Sequence, residues 1–165
     1  MATETPAIQP ITLTLEVPLP IAAAFETFTA LTAWWPREYT WSGESLVSIG
    51  IEPRAGGNCY EIGPNNLRLE WGHLTAFEPY TRLQFTWNIG PDRVPAPDPR
   101  HASEVEVRLF PAGEHLTRLE FAHRGFERHG EGAAAYREGL ASPQGWPYIL
   151  QRYRDEVARR AALAK

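Results

Sequence analysis

Trp146, Ile149, Leu150, Tyr153 and Val157 fall at i, i+3, i+4, i+7 and i+11, one apolar stripe on a helix predicted to run to about Leu163. Arg152, Arg154, Asp155, Glu156 and Arg159 take the solvent side. A stripe that holds an indole and a phenol ring needs a broad apolar surface to cover it. The chain ahead of it supplies one with a different period.

Ile11, Leu13, Leu15 and Val17 alternate with Thr12, Thr14 and Glu16, the pattern of a half-buried strand. Further strands are predicted over Leu46–Ile51, Cys59–Ile62, Leu67–Phe77 and Leu83–Ile89. Val105–Leu109 and Thr117–His123 form a hairpin around Pro111-Ala112-Gly113-Glu114. Gly72, inside a strand, marks a bulge or a close backbone contact. The result is an α+β domain, an antiparallel sheet of about six or seven strands wrapped around the C-terminal helix.

A short helix starts after Pro20, with Ile21, Ala24, Phe25, Phe28 and Leu31 at helical spacing. The stretch from Leu31 to Trp41 is dense in aromatics, Trp34, Trp35, Tyr39 and Trp41, and Pro36 must stop or bend any helix there. Four prolines between Gly90 and Arg100 exclude a central strand there. Arg124 to Gly139 reads as loop with a short helical turn, and Ser142 before Pro143 as the N-cap of the last helix. Residues 11–165 read as one domain behind a flexible leader, residues 1–10.

The 165 residues are 43% hydrophobic and 12% aromatic, enough for one packed core. A net charge of −4 with no basic block excludes an ordinary nucleic-acid binder. No apolar run reaches the ~20 residues of a membrane span, and nothing near Met1 resembles a signal sequence. Cys59 is the sole cysteine, so no internal disulfide can form. The chain reads as cytoplasmic.

Several phrases, in this order, resemble one family. They are Val17-Pro18 leading to Ala24-Phe25, Trp34-Trp35, Gly56-Gly57, and Trp71-Gly72-His73-Leu74 running to Glu78-Pro79. Leu83 to Trp87, Thr117 to His123 with Gly125-Phe126, and Gly145-Trp146 with Leu150 continue it. The chain resembles the START-like helix-grip superfamily (SRPBCC), and within it the AHA-type homologues of activators of a chaperone ATPase. The resemblance spans residues 11 to 160. It implies a curved sheet gripping the last helix over an apolar cavity, and no single reaction.

The cavity that fold implies makes the tryptophans Trp34, Trp35, Trp41, Trp71, Trp87 and Trp146 candidate linings, against the plainer reading of core packing. The residues selected as cavity candidates are Trp34, Trp71, Phe85, Trp87, Phe121, His123, Trp146 and Tyr153. His123 shares strand parity with Leu119 and Phe121 and therefore points inward, either to orient a ligand or as a hydrogen-bonded core residue. Glu61 and Glu70 stand on neighbouring strands as a weak candidate carboxylate pair, weighed against a solvated sheet face.

The five histidines fall in no metal-binding spacing, no Gly-x-Ser-x-Gly elbow is present, and the glycines lack a phosphate-loop Lys. No metal, cofactor or catalytic residue is expected. The leading expectation is binding of an apolar small molecule or lipid-like ligand between sheet and helix. One alternative is a protein–protein module serving a chaperone or a stress response. The other is a cyclase- or hydratase-like enzyme using His123 with Tyr136 or Tyr153.

Overall fold

The computed structural model describes residues 7–94 and 98–164. Seven strands form one antiparallel sheet in the order β1-β7-β6-β5-β4-β3-β2. They are β1 (Ile11–Val17), β2 (Ser48–Ile51), β3 (Asn58–Ile62), β4 (Arg68–Glu78), β5 (Arg82–Trp87), β6 (Ser103–Gly113) and β7 (Leu116–Arg124). Helix α1 (Ile21–Thr29) follows β1, while α2 (Ala133–Ala141) and α3 (Trp146–Leu163) close the chain. This is the helix-grip arrangement: a curved sheet with α3 packed in its concave face.

Alternation does what it predicts. Phe85, Val105 and His123 are cross-strand partners, as are Leu83, Val107 and Phe121, and all six are buried on the concave face. The intervening residues make an ionic outer face. Glu106 accepts from Arg82 at 2.6 Å, Arg124 at 2.7 Å and Arg108 at 3.1 Å. Burial pushes the Glu106 carboxyl up, but the three guanidiniums win and hold it near 2.

The register slips at Cys59/Tyr60, beside Gly72 on the partner strand. A Cβ at Gly72 would run into the Thr86 carbonyl, so this glycine permits a close backbone approach. Helix α3 lays Trp146, Ile149, Leu150, Tyr153 and Val157 into the core. The Tyr153 hydroxyl donates to the Ala24 carbonyl of α1 at 2.9 Å, joining the two helices through the interior.

Three expectations are corrected. Residues 133–141 form helix α2 rather than loop. Only Ala133 of that helix is fully buried, while Tyr136, Leu140 and Ala141 pack partly buried against the core. Ser142 closes α2, its hydroxyl donating to the Gly139 carbonyl at 2.6 Å, and α3 starts at Gly145 with no side-chain cap. A Cβ at Gly145 would collide with the backbone of Leu140, which is how the two helices meet so tightly. The expected turn at Pro111 is instead the bulged end of β6, Pro111 opposing Thr117.

Residues 1–6 of the expected leader and 95–97 of the expected loop lie outside the described residues. Ile8 packs against the core, and Arg137 donates to the Gln9 and Pro10 carbonyls at 3.0 and 3.1 Å.

Candidate functional site

A cleft of about 480 Å³ opens where the end of β5 meets the α2–α3 junction. Trp87, Ile89, Pro91 and Arg93 line it from β5 and the loop that follows. Ala135, Tyr136, Gly139 and Leu140 line it from α2, and Gln144, Gly145 and Ile149 from the junction and α3. The last wall is the stretch after α1, with Trp35, Glu38, Tyr39, Thr40 and Trp41. Trp35 is buried, whereas Tyr39 and Trp41 are exposed.

Each wall is tied to another by a hydrogen bond. Trp41 donates its indole N–H to the Arg93 carbonyl at 2.8 Å, and Tyr39 donates to the Gln144 carbonyl at 2.7 Å. The Tyr148 hydroxyl donates to Glu38 at 2.6 Å, which holds the Glu38 carboxyl below the usual carboxylate range. Tyr136 donates to the Ile89 carbonyl at 2.7 Å and accepts from the Trp87 indole at 2.8 Å. Burial first, and against it the Trp87 bond, leave the Tyr136 phenol pushed up to about 12.

Glu61 secures the Trp41 loop from below. Its buried carboxylate accepts from the Trp41 N–H at 3.2 Å, the Ser42 N–H at 3.0 Å and the Ser42 hydroxyl at 2.8 Å. Glu70 is exposed on the other face, since it opposes Tyr60 while Glu61 opposes Leu69. The two carboxylates therefore form no pair.

His123 lies behind the cleft, fully buried. Its Nδ1 accepts the Trp146 indole N–H at 2.9 Å, and its Nε2 meets the Ser103 hydroxyl at 2.7 Å. Ser103 also meets Nε2 of His129 at 2.7 Å. Indole is a donor only, so Nδ1 of His123 carries no proton and Nε2 must carry it. Ser103 thus accepts from His123, which leaves its own hydroxyl hydrogen free to point at His129. Burial, and then the neighbouring His129 and Arg124, lower the His123 pKa well below the usual histidine range. The chain favours neutral rings and ends at the Trp146 indole.

Of the residues selected from the sequence, Trp87 lines the cleft. Trp71, Phe121 and Trp146 pack directly behind it, with Trp146 at 5.3 Å from Trp87 and 4.6 Å from Phe121 between ring centroids. Phe85 packs edge-on against Trp71. Trp34 and Tyr153 belong to a deeper cluster with Phe28, where Trp34 donates to the Thr27 carbonyl at 2.9 Å. Among the described residues no group of His, Cys, Asp or Glu is arranged to hold a metal ion, and no helix is long and apolar enough to cross a membrane. Chemically, the cleft offers aromatic walls and a few polar groups, among them the Glu38 carboxyl and the Tyr136 hydroxyl.

The family model described as activator of Hsp90 ATPase homolog 1-like protein matches residues 18–156. The chain belongs to this family. Among solved structures, this family member is similar to the anthrahydroquino-γ-pyrone synthase Txn09, at 31% identity and a TM-score of 0.64, over 91% of this chain and 97% of that one. It is also similar to CalC, a self-sacrificing resistance protein from Micromonospora echinospora, at 24% identity and a TM-score of 0.62 over 92% and 95% of the chains. A protein from Nitrosomonas europaea matches at 18% identity and a TM-score of 0.65 over 93% and 96%. The last two show the fold alone. No functionally curated protein matches the sequence.

Proposed function

We propose that this protein binds an apolar, aromatic small molecule in the cleft between β5, α2 and α3. The observation that carries this reading is the cleft itself: about 480 Å³, walled by Trp35, Trp41, Trp87, Tyr136 and Ile149, with polar groups confined to a few positions. Rings of this size favour flat partners, and the bonds between walls hold them in place before a ligand arrives. Trp71, Phe121, His123 and Trp146 act from behind by fixing Trp87.

The test is titration of the folded protein with N-phenyl-1-naphthylamine. The expected result is 1:1 binding with quenching of tryptophan emission, weakened by Trp41→Ala. A folded sample that binds nothing overturns the reading.

The likeness to Txn09 supports a second reading, in which the bound molecule is a polyketide-type substrate that the protein helps to close into a ring. A ligand in the cleft meets Tyr136 and Trp87 before His123, so His123 would act by positioning. Ring closure measured on a polyketide substrate, and lost on changing Tyr136→Phe, separates this reading from simple carriage. The family description also supports a chaperone-accessory role, for which the measurement is the Hsp90 ATPase rate with and without this protein.

A further inference from the structure

Two charged side chains line the cleft, and their situations differ. Glu38 is engaged by the Tyr148 hydroxyl and lies near Arg152. The Arg93 guanidinium makes no hydrogen bond or ion pair among the described residues, yet it stands close enough to the Tyr136 hydroxyl to act on its ionisation, with the Asp92 carboxylate acting in the opposite sense.

The backbone at Arg93 is what places it there. Its φ is +63°, a left-handed conformation that costs an arginine stability and persists only where the surroundings impose it. Two bonds impose it: the Arg93 N–H donates to the Gly90 carbonyl at 2.8 Å, and the Arg93 carbonyl accepts the Trp41 indole at 2.8 Å. Across this turn, two adjacent opposite charges are parted. Asp92 caps the Val94 N–H at 3.1 Å and lines a separate depression with His129 and Glu131, whereas Arg93 lines the aromatic cleft. An arginine in a strained turn, lining the cleft while its neighbouring carboxylate lines another depression, and forming no ion pair with it, is a counter-ion without an ion.

We propose that Arg93 makes the cleft selective for aromatic anions, ligands whose rings lie among Trp41, Trp87 and Ile149 and whose carboxylate, sulfonate or ionised phenol meets the guanidinium beside Tyr136. This rests on the proposed small-molecule function and adds a charge to it. A planar guanidinium suits a carboxylate or sulfonate because it can present two parallel N–H donors.

The experiment compares two probes that differ in one group: 8-anilino-1-naphthalenesulfonate, and the neutral N-phenyl-1-naphthylamine that lacks its sulfonate. The readout is the ratio of their affinities. In Arg93→Gln this ratio is expected to move about three- to ten-fold against the anion, the range of a partly exposed charge pair. The neutral probe's affinity should change less than about two-fold, the cleft being otherwise intact. Arg93→Lys should retain part of the preference, and raising the salt should reduce it in wild type but not in the glutamine variant. An unchanged ratio in Arg93→Gln, or equal loss of both probes, overturns the proposal while leaving the binding cleft standing. Failure of both probes to bind the wild-type protein overturns the cleft reading, and this proposal with it.

Discussion

Trp146 of α3 donates its indole N–H to Nδ1 of His123 on β7 over 2.9 Å, so the gripped helix dictates the tautomer of a residue in the sheet. Protonating His123 would set a ring N–H against that indole N–H, two donors with no acceptor between them.

Stability should therefore fall in mild acid. The folded pKa of His123 is well below 6.5, and that of His129 is also lowered, chiefly by burial. The unfolded chain then binds protons that the folded one refuses. The stabilising difference is fully present above about pH 7 and shrinks as pH falls through 6.5, by about 1.4 kcal/mol per pH unit for His123 alone. Urea unfolding at pH 7.5, 6.5 and 5.5 measures it, and a flat profile would contradict the buried neutral chain.

Trp146→Phe removes the donor, leaves Nδ1 unpaired and keeps an aromatic ring in the stripe. The expected loss is about 1–3 kcal/mol in chemical denaturation, the range for a buried polar atom stripped of its partner. A variant as stable as wild type would mean that the His123–Trp146 bond contributes little.

Glu61→Gln keeps the shape of the side chain but weakens its grip on the Trp41–Ser42 loop, because a carboxylate accepts from N–H groups more strongly than an amide does. Amide exchange at residues 41–43 should speed up while exchange in β6 and β7 stays unchanged. A uniform increase across the sheet would show that Glu61 supports the whole fold rather than one wall of the cleft.

Gly145→Ala places a methyl against the Leu140 backbone at the α2–α3 junction. The helices must part, at an expected cost of about 1–3 kcal/mol. Leu140 and Gly145 both line the cleft, so probe binding should weaken along with the melting temperature. Loss of stability with unaltered probe affinity would separate the junction from the site.

Much of this architecture is legible without coordinates, because the two periodicities never overlap. Period two runs from Ile11 to Val17 and through Thr117 to His123, and period 3.6 from Trp146 to Val157. The cleft is less legible for a physical reason. Trp34 and Trp35 are neighbours in an irregular stretch, where no period tells which ring turns inward to Tyr153 and which reaches the cleft. Helix α2 hides because its inward residues, Ala133, Tyr136 and Leu140, span only two turns and are interrupted by Arg137 and Gly139. Glu61 and Ser103 owe their roles to partners 19 to 26 residues away, brought near by strand register and loop return. Inward parity for His123 is readable from Leu119 and Phe121; its partners are not.

The strand order has a consequence in time as well as in space. β1 pairs with β7, Ile11 opposite His123 and Val17 opposite Thr117, so β1, made before the other six strands of this sheet, waits about a hundred residues for its neighbour. Contacts that distant close slowly, since the loop entropy comes due before the contact returns anything. The β6–β7 hairpin, by contrast, is made of near neighbours and can form without waiting for β1. For a nascent chain the grip is thus assembled backwards, its earliest piece docking among the last.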